Sequence, residues 1–207
     1  MNNNKIKIAI VGTHSTRKTT LCHLLIGKLK EKRKDVSYLA ELATSCPLPI
    51  NKDASVDAQL WILLSQIKGE VELEAKPFEY IVLDRCILDN YVYFERASDK
   101  IKQKDEEILS KMAIAKNLLN QWVGTYDFIF KVDVNSKDIE PDGFRDTDKD
   151  FRTDIENRLM HLCKSMNLKN VYYLSGSNEQ KLNKMLEIID NRQRKLNNWA
   201  KNNRQVS

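Results

Sequence analysis

The chain has 207 residues and a formal net charge of +5, with 42% hydrophobic and 30% charged residues but only 6 glycines and 4 prolines. That balance excludes a disordered or low-complexity chain, and it suits one α/β domain with a core of ordinary size. Nowhere do about 18 apolar residues follow one another, and Met1-Asn-Asn-Asn-Lys5 runs straight into an apolar segment, which predicts a cytoplasmic protein that does not enter a membrane.

Ile8 to Val11 form a short apolar run with the character of a buried strand, and Leu21, Leu24, Leu25 and Leu29 then recur as one face of a helix. Between them lies Gly12-Thr13-His14-Ser15-Thr16-Arg17-Lys18-Thr19-Thr20. Set against the phosphate-binding pattern G-x-x-x-x-G-K-[ST], Gly12, Lys18 and Thr19 occupy the required positions, and Arg17 stands where the second glycine belongs. The spacing has a physical reason. A triphosphate is held by consecutive backbone N–H donors and a helix N-terminus aimed at one point, and a tight loop entering a helix supplies both. Residues Gly12 to Thr20 are therefore the expected cradle for ATP. Lys18, expected in a solvent-lined loop, would neutralise the β/γ-phosphates, and the Thr19 hydroxyl would ligate the bridging Mg²⁺. The alternative is an ordinary βα turn.

Val36 to Ala40 predict a second strand ending at Glu41, followed by a loop in which Pro47 and Pro49 forbid regular structure. Leu60, Leu63, Leu64, Ile67 and Val71 predict a helix from about Asp53 to Ala75. Tyr80 to Leu83 is a continuous apolar run, as in a strand buried on both faces, and it stops at Asp84-Arg85. Ligands of open parallel sheets bind at the carboxyl edge of the strands, so Asp84 and Arg85 should face the same crevice as the phosphate loop, unless they form only a structural ion pair.

Residues 88 to 97 suggest a short helix, and Ile108, Met112, Ala115, Leu119 and Trp122 mark a second from Asp105. Phe128 to Val132 predict the next strand. A polar stretch over 135–150 follows, with Asp142-Gly143-Phe144-Arg145 at its centre. A helix from near Phe151, a strand from Val171 to Leu174 and a long C-terminal helix carrying Leu182, Met185, Ile189, Leu196 and Trp199 complete the chain. Five strands alternating with helices predict a parallel sheet with right-handed crossovers and helices on both faces.

Cys22, Cys46, Cys86 and Cys163 are scattered without a Cys-x-x-Cys pair, so neither a zinc site nor a disulfide framework is expected. Basic residues gather in Lys28 to Lys34 and again at Arg192, Arg194, Lys195, Lys201 and Arg204. They suit solvated helix ends better than a nucleic-acid interface.

Together these pieces resemble the P-loop nucleoside and nucleotide kinases, and most closely a bacterial and phage group of AAA-like ATPases and kinases related to the nicotinamide riboside kinase domain of NadR-type proteins. The resemblance rests on the order of Gly12 to Thr20, Glu41 with Cys46-Pro-Leu-Pro-Ile-Asn51, Asp84-Arg85 with Asp89 and Tyr91, and Asp142-Gly-Phe-Arg145 with Arg152. It implies a single P-loop domain over 1–207, a three-layer α/β sandwich whose five-stranded parallel sheet has the order 2-3-1-4-5, and a mobile lid at about 135–155. By the same resemblance Glu41 takes the proton of an acceptor hydroxyl, Asp84 orients hydrated Mg²⁺ beside Arg85, and the lid residues Arg145 and Arg152 stabilise charge on the transferring phosphoryl group. The two arginines could instead pair with Asp142, Asp146, Asp148 or Asp150.

The implied reaction is ATP-dependent transfer of the γ-phosphoryl group to a nucleoside, nucleotide or related ribosyl acceptor. The alternative is a nucleotide-binding ATPase or regulatory protein altered at Arg17. Thr44 stands where related sequences offer an arginine near the acceptor, so the acceptor stays open. Trp61, Gln66, Tyr91 and Tyr93 could contact a base or belong to the core, and the oligomeric state is open, a homodimer included.

Overall fold

A computed structural model describes residues 5–50, 54–133 and 149–204, apart from the side chains of 196, 197 and 199–204. Five strands, β1 (Ile6–Val11), β2 (Val36–Leu39), β3 (Tyr80–Asp84), β4 (Phe128–Val132) and β5 (Val171–Leu174), make one parallel sheet in the order β2-β3-β1-β4-β5. This is the expected order. Strand β1 begins two residues before the apolar run, because Ile6 and Lys7 pair with Tyr80 and Ile81.

Among the described residues six α-helices cover the sheet: α1 (Lys18–Glu31), α2 (Val56–Glu74), α3 (Ile87–Asp99), α4 (Glu106–Trp122), α5 (Lys149–Ser165) and α6 (Asn178–Arg204). The period-two geometry of β1 feeds two separate cores. Ile8 and Ile10 pack with Leu21, Leu25, Leu29, Phe130 and Met185 under α1 and α6. Ala9 and Val11 point the other way, into Leu63, Leu88, Phe94, Leu119 and Ile155 under α2 to α5.

Local signals set the helix ends. Ser55 accepts the Ala58 amide at 3.1 Å to cap α2, and Asp105 accepts the Ile108 amide at 2.9 Å to cap α4. The loop before Pro47 contains one short turn, Ala43–Ser45. Asn51 and Asp53 lie outside the described residues, as do the Leu196 and Trp199 side chains and residues 134–148 with Asp142 and Arg145. The remainder of the expected lid, 149–155, is the start of α5.

Two helix faces differ from expectation. In α1, Leu24 is 39% exposed while Leu21, Cys22, Leu25 and Leu29 are buried. At about 100° per residue, Leu24 sits well off the arc centred on those four. In α2, Leu64 and Val71 face outward, and the buried face instead carries Gln59, Ile62, Leu63, Gln66 and Glu70.

The basic segments are partly neutralised, with Lys28 paired to Glu31, Lys32 to Asp190, and Arg192 to Asp127. All four cysteines are free. No helix among the described residues is long and apolar enough to cross a membrane.

These faces predict a contrast within one helix. Leu25→Ala should cost about 2–5 kcal/mol in urea unfolding by opening a cavity in the core under α1. Leu24→Ala should change stability by less than about 1 kcal/mol, and equal losses would reject the assigned face.

Candidate active site

The turn after β1 is made by glycine and strain together. Gly12 has φ +148°, and a Cβ there would lie 3.0 Å from the Val132 carbonyl oxygen, so both backbone and space demand glycine. Ser15 and Arg17 also lie at positive φ, +58° and +60°. The loop therefore keeps the left-handed conformation at position 17 rather than being rebuilt for arginine, at a cost of roughly 1–2 kcal/mol. Two hydrogen bonds close the loop on the Thr13 carbonyl, from Thr16 Oγ1 at 2.9 Å and from Lys18 Nζ at 2.7 Å. Lys18 is buried, 5% exposed, and not solvent-lined as expected.

Strand β3 delivers its charges to the same place, because Asp84 pairs in register with Ile10. Asp84 is buried, and its Oδ2 accepts from Thr19 Oγ1 at 2.5 Å and from Tyr38 at 3.4 Å. Its Oδ1, like Thr13 Oγ1 in the loop floor, is buried without a hydrogen-bond partner among the described residues. Such an orphan oxygen costs about 1–3 kcal/mol. A carboxylate and a hydroxyl at a phosphate loop form a hard-oxygen set that fits Mg²⁺, which takes its other ligands from phosphate and water. The described residues contain no group of three or more histidine, cysteine or acidic side chains that could hold a metal ion.

Arg85 ties three segments together. Its Nε donates to Glu41 at 2.6 Å, and its Nη1 donates to Asp89 at 3.2 Å and to the Gly12 carbonyl at 3.3 Å. Asp89 serves twice, since its other oxygen accepts the Cys86 amide at 2.8 Å and so secures the start of α3. Arg85 itself has φ +80°. Burial works against its charge, but Glu41 and the neighbouring acids outweigh burial and hold its pKa well above the ordinary value. Burial, with a smaller push from Glu41, raises the Asp89 carboxyl pKa against the pull of Arg85, the Cys86 amide and Lys18. For Lys18, burial and then repulsion from Arg85 lower the pKa from 10.5 to about 8, against the pull of Glu41, Asp84 and Asp89.

The expected residues Lys18, Thr19, Glu41, Asp84 and Arg85 are thus brought together. Arg145 lies outside the described residues. Arg152 is half-buried on α5, and no hydrogen bond or ion pair among the described residues joins it to the phosphate loop. Its neighbour Phe151, which had not been singled out in the sequence, does reach the loop by stacking on His14 at 5.4 Å. Phe151 also meets the edge of Tyr93 and lies under Arg96, and these three line a small cavity with Ala54, Gln59 and Lys100.

Of the four base-contact candidates, Tyr93 borders the site, with the Arg85 guanidinium 5.3 Å from its ring centroid. Gln66 turns inward to Glu70 and the Arg85 carbonyl, and Tyr91 packs on Phe94. Tyr38 and Gln59 were missed. The four-residue β2 gave no pattern to show which face Tyr38 would take, and Gln59 is a polar residue about 100° off the apolar arc that the α2 sequence marks.

The AAA domain family model matches residues 7–181 of the chain. No curated protein matches it by sequence. Among solved structures, the NadR protein in complex with NR has a TM-score of 0.66 at 19% identity, over 84% of this chain and 46% of that one. The NadR protein in complex with NAD and AMP-PNP gives 0.62 at 16%, over 83% and 45%. The chain therefore spans about half the length of these NadR chains. Deoxyadenosine kinase from M. mycoides, with dCMP and dCDP bound, gives 0.61 at 16% identity, over 92% of this chain and all of that one. At these identities the likeness is one of fold.

The lowered pKa of Lys18 has a measurable sign. The unfolded chain restores 10.5, so between pH 8 and 10.5 the unfolded state binds more protons and the folded state is increasingly favoured as pH rises. The gain should be on the order of 2–3 kcal/mol across that window. Urea midpoints from pH 7.5 to 10.5 for the wild type and Lys18→Met test it: the variant should lack the rise, and parallel curves would show an ordinary lysine.

Proposed function

From a chain that belongs to the AAA domain family and shares its fold with P-loop kinases, we propose a phosphotransferase that moves the γ-phosphoryl group of ATP to a nucleoside, nucleotide or related ribosyl acceptor. One observation carries the proposal: Thr19, the orphan oxygen of Asp84 and the Glu41 carboxylate converge on the mouth of the Gly12–Lys18 loop. A protein that only bound nucleotide would need the loop, whereas transfer to a hydroxyl also calls for a base at the same edge, where Glu41 stands. The NadR structures hold NAD with AMP-PNP, or NR, and the deoxyadenosine kinase structure holds deoxynucleotides, which favours an acceptor of the nucleoside type.

The roles follow from position. Lys18 binds the β/γ-phosphates, and phosphate charge restores the protonation that burial opposes. Thr19 and Asp84 would hold Mg²⁺, which when bound neutralises charge developing between the β- and γ-phosphates. Glu41 accepts the proton of the acceptor hydroxyl, and its ion pair with Arg85 fixes its position at the loop. Arg85 sets the distance between this base and the loop by bonding both. Arg145 and Arg152 are assigned to charge on the transferring group, and the His14–Phe151 stack places the residue next to Arg152 against the loop.

A coupled phosphotransfer screen with ATP and Mg²⁺ against ribo- and deoxynucleosides, their monophosphates and nicotinamide riboside tests the proposal. At least one acceptor should accelerate ADP formation, and Lys18→Ala should lose on the order of 10²-fold or more. Phosphate release that no acceptor accelerates would replace the kinase with an ATPase. With an acceptor in hand, Asp84→Asn should weaken Mg²⁺ dependence, and Glu41→Gln should lower turnover with ATP affinity unchanged. Identical behaviour of the two would reject the division of roles.

Arg17→Gly should raise turnover and leave ATP binding unchanged or weaker. It relieves a left-handed arginine, and any phosphate contact of that side chain would act in ground and transition states alike. A tenfold or greater loss of turnover would make Arg17 a catalytic group.

A further inference from the structure

The polar face of α2 has a use that the proposed reaction has not yet claimed. Glu70 is completely buried, and each of its oxygens accepts two hydrogen bonds. Oε2 takes Lys7 Nζ at 3.0 Å and Trp122 Nε1 at 2.7 Å, on the side away from the loop. Oε1 takes Gln66 Nε2 at 2.8 Å and the Tyr126 hydroxyl at 3.0 Å. Both partners on Oε1 continue to one short piece of backbone. Gln66 Nε2 also reaches the Arg85 carbonyl at 3.4 Å, and its Oε1 accepts from Asn90 at 3.4 Å, while Tyr126 accepts the Ile87 amide at 3.1 Å. From the other side the Arg85 amide donates to the Ile10 carbonyl at 3.1 Å.

The residue held between these bonds is the one at φ +80°, a conformation an arginine does not keep unless its surroundings impose it. We infer that Glu70, through Gln66 and Tyr126, is a positioning residue that holds the Arg85–Ile87 turn and so aims the Arg85 guanidinium at Glu41 and the Gly12 carbonyl. Glu70 acts only as an acceptor here. All four bonds to it are donated by its partners, and Tyr126 donates to Glu70 while accepting from Ile87. Without the anchor, residue 85 relaxes toward negative φ and its fork swings off Glu41. Phosphate binding through Lys18 and Thr19 is left in place.

The kinetic consequence rests on the proposed phosphotransfer; the geometric one does not. Gln66→Met and Tyr126→Phe cut the path on the Arg85 side of Glu70, whereas Trp122→Phe removes a bond of similar length on the far side. The Nε–H exchange rate of Arg85, followed by ¹⁵N NMR on the free protein, should rise about tenfold or more in the first two variants and stay within about twofold in Trp122→Phe, at comparable losses of urea stability. If the three behave alike, or if exchange follows stability alone, the positioning role is overturned. Where an acceptor is phosphorylated, Gln66→Met should lower kcat about tenfold or more with KM for ATP within about threefold, and it should add nothing on an Arg85→Ala background. Full additivity there would overturn the link through Arg85. A wild type that phosphorylates no acceptor would remove the proposed function, and the exchange rates would still decide the inference.

Discussion

Ile10 of β1 stands opposite Asp84 of β3, and every polar contact of the site depends on that register. Parallel strands leave a sheet at the same edge, so the turns after β1 and β3 must emerge side by side. Thr19 at the start of α1 can then reach Asp84, and Arg85 can reach the Gly12 carbonyl. Burial of both faces enforces the register. A slip of one residue would send Ile8 and Ile10 into the space shaped for Ala9 and Val11, and those spaces belong to different cores.

At that edge three carboxylates, Glu41, Asp84 and Asp89, face two cations, Lys18 and Arg85, and all of them but Glu41 are buried. Buried charges are tolerated when each is paired, and Arg85 does most of the pairing because its planar fork serves Glu41, Asp89 and a backbone carbonyl at once. A lysine in its place has no fork to divide among them. The uncompensated features are Asp84 Oδ1, Thr13 Oγ1 and the lowered pKa of Lys18. All three would be relieved by a phosphate with its metal. The left-handed residues Ser15, Arg17 and Arg85 lie around the same point, so strain and unsatisfied polarity coincide.

The sheet was legible because its central strands carry uninterrupted apolar runs, and the loop was legible because phosphate chemistry constrains both residue types and spacing. Lys18 and Thr19 are legible from the loop spacing and Asp84 and Arg85 from the end of their strand, whereas Glu41 is placed at the site only by the family resemblance. The faces of α1 and α2 were less readable. Leu24 and Leu64 match helical spacing as well as their buried neighbours do, and periodicity does not report which of two overlapping arcs meets the sheet. Gln66 and Glu70 were hidden for the opposite reason. A buried carboxylate is rare, and only its four donors, drawn from α2 itself, β1, α4 and the turn before β4, make it stable; no local pattern could announce partners so far apart in sequence. Phe151 escaped notice because an aromatic at a helix start reads as core, and its contact with His14 spans 137 positions.

The central place of β1 also bears on how the molecule forms. Ile6 pairs with Tyr80, and Ile8 pairs with Phe128, so β1 leaves the ribosome ahead of flanking partners that lie 74 and 120 residues further on. Closing such long chain segments is entropically slow, and local helix formation cannot substitute for it. Until β3 and β4 enclose β1, Gly12 has no Val132 carbonyl beside it, Thr19 has no Asp84, and the loop has no reason to hold its left-handed residues. The Gly12–Thr20 loop is thus a late product of folding although its sequence is made before that of β3 and β4, and a nascent chain should pass through a long interval in which this motif is present without its folded geometry.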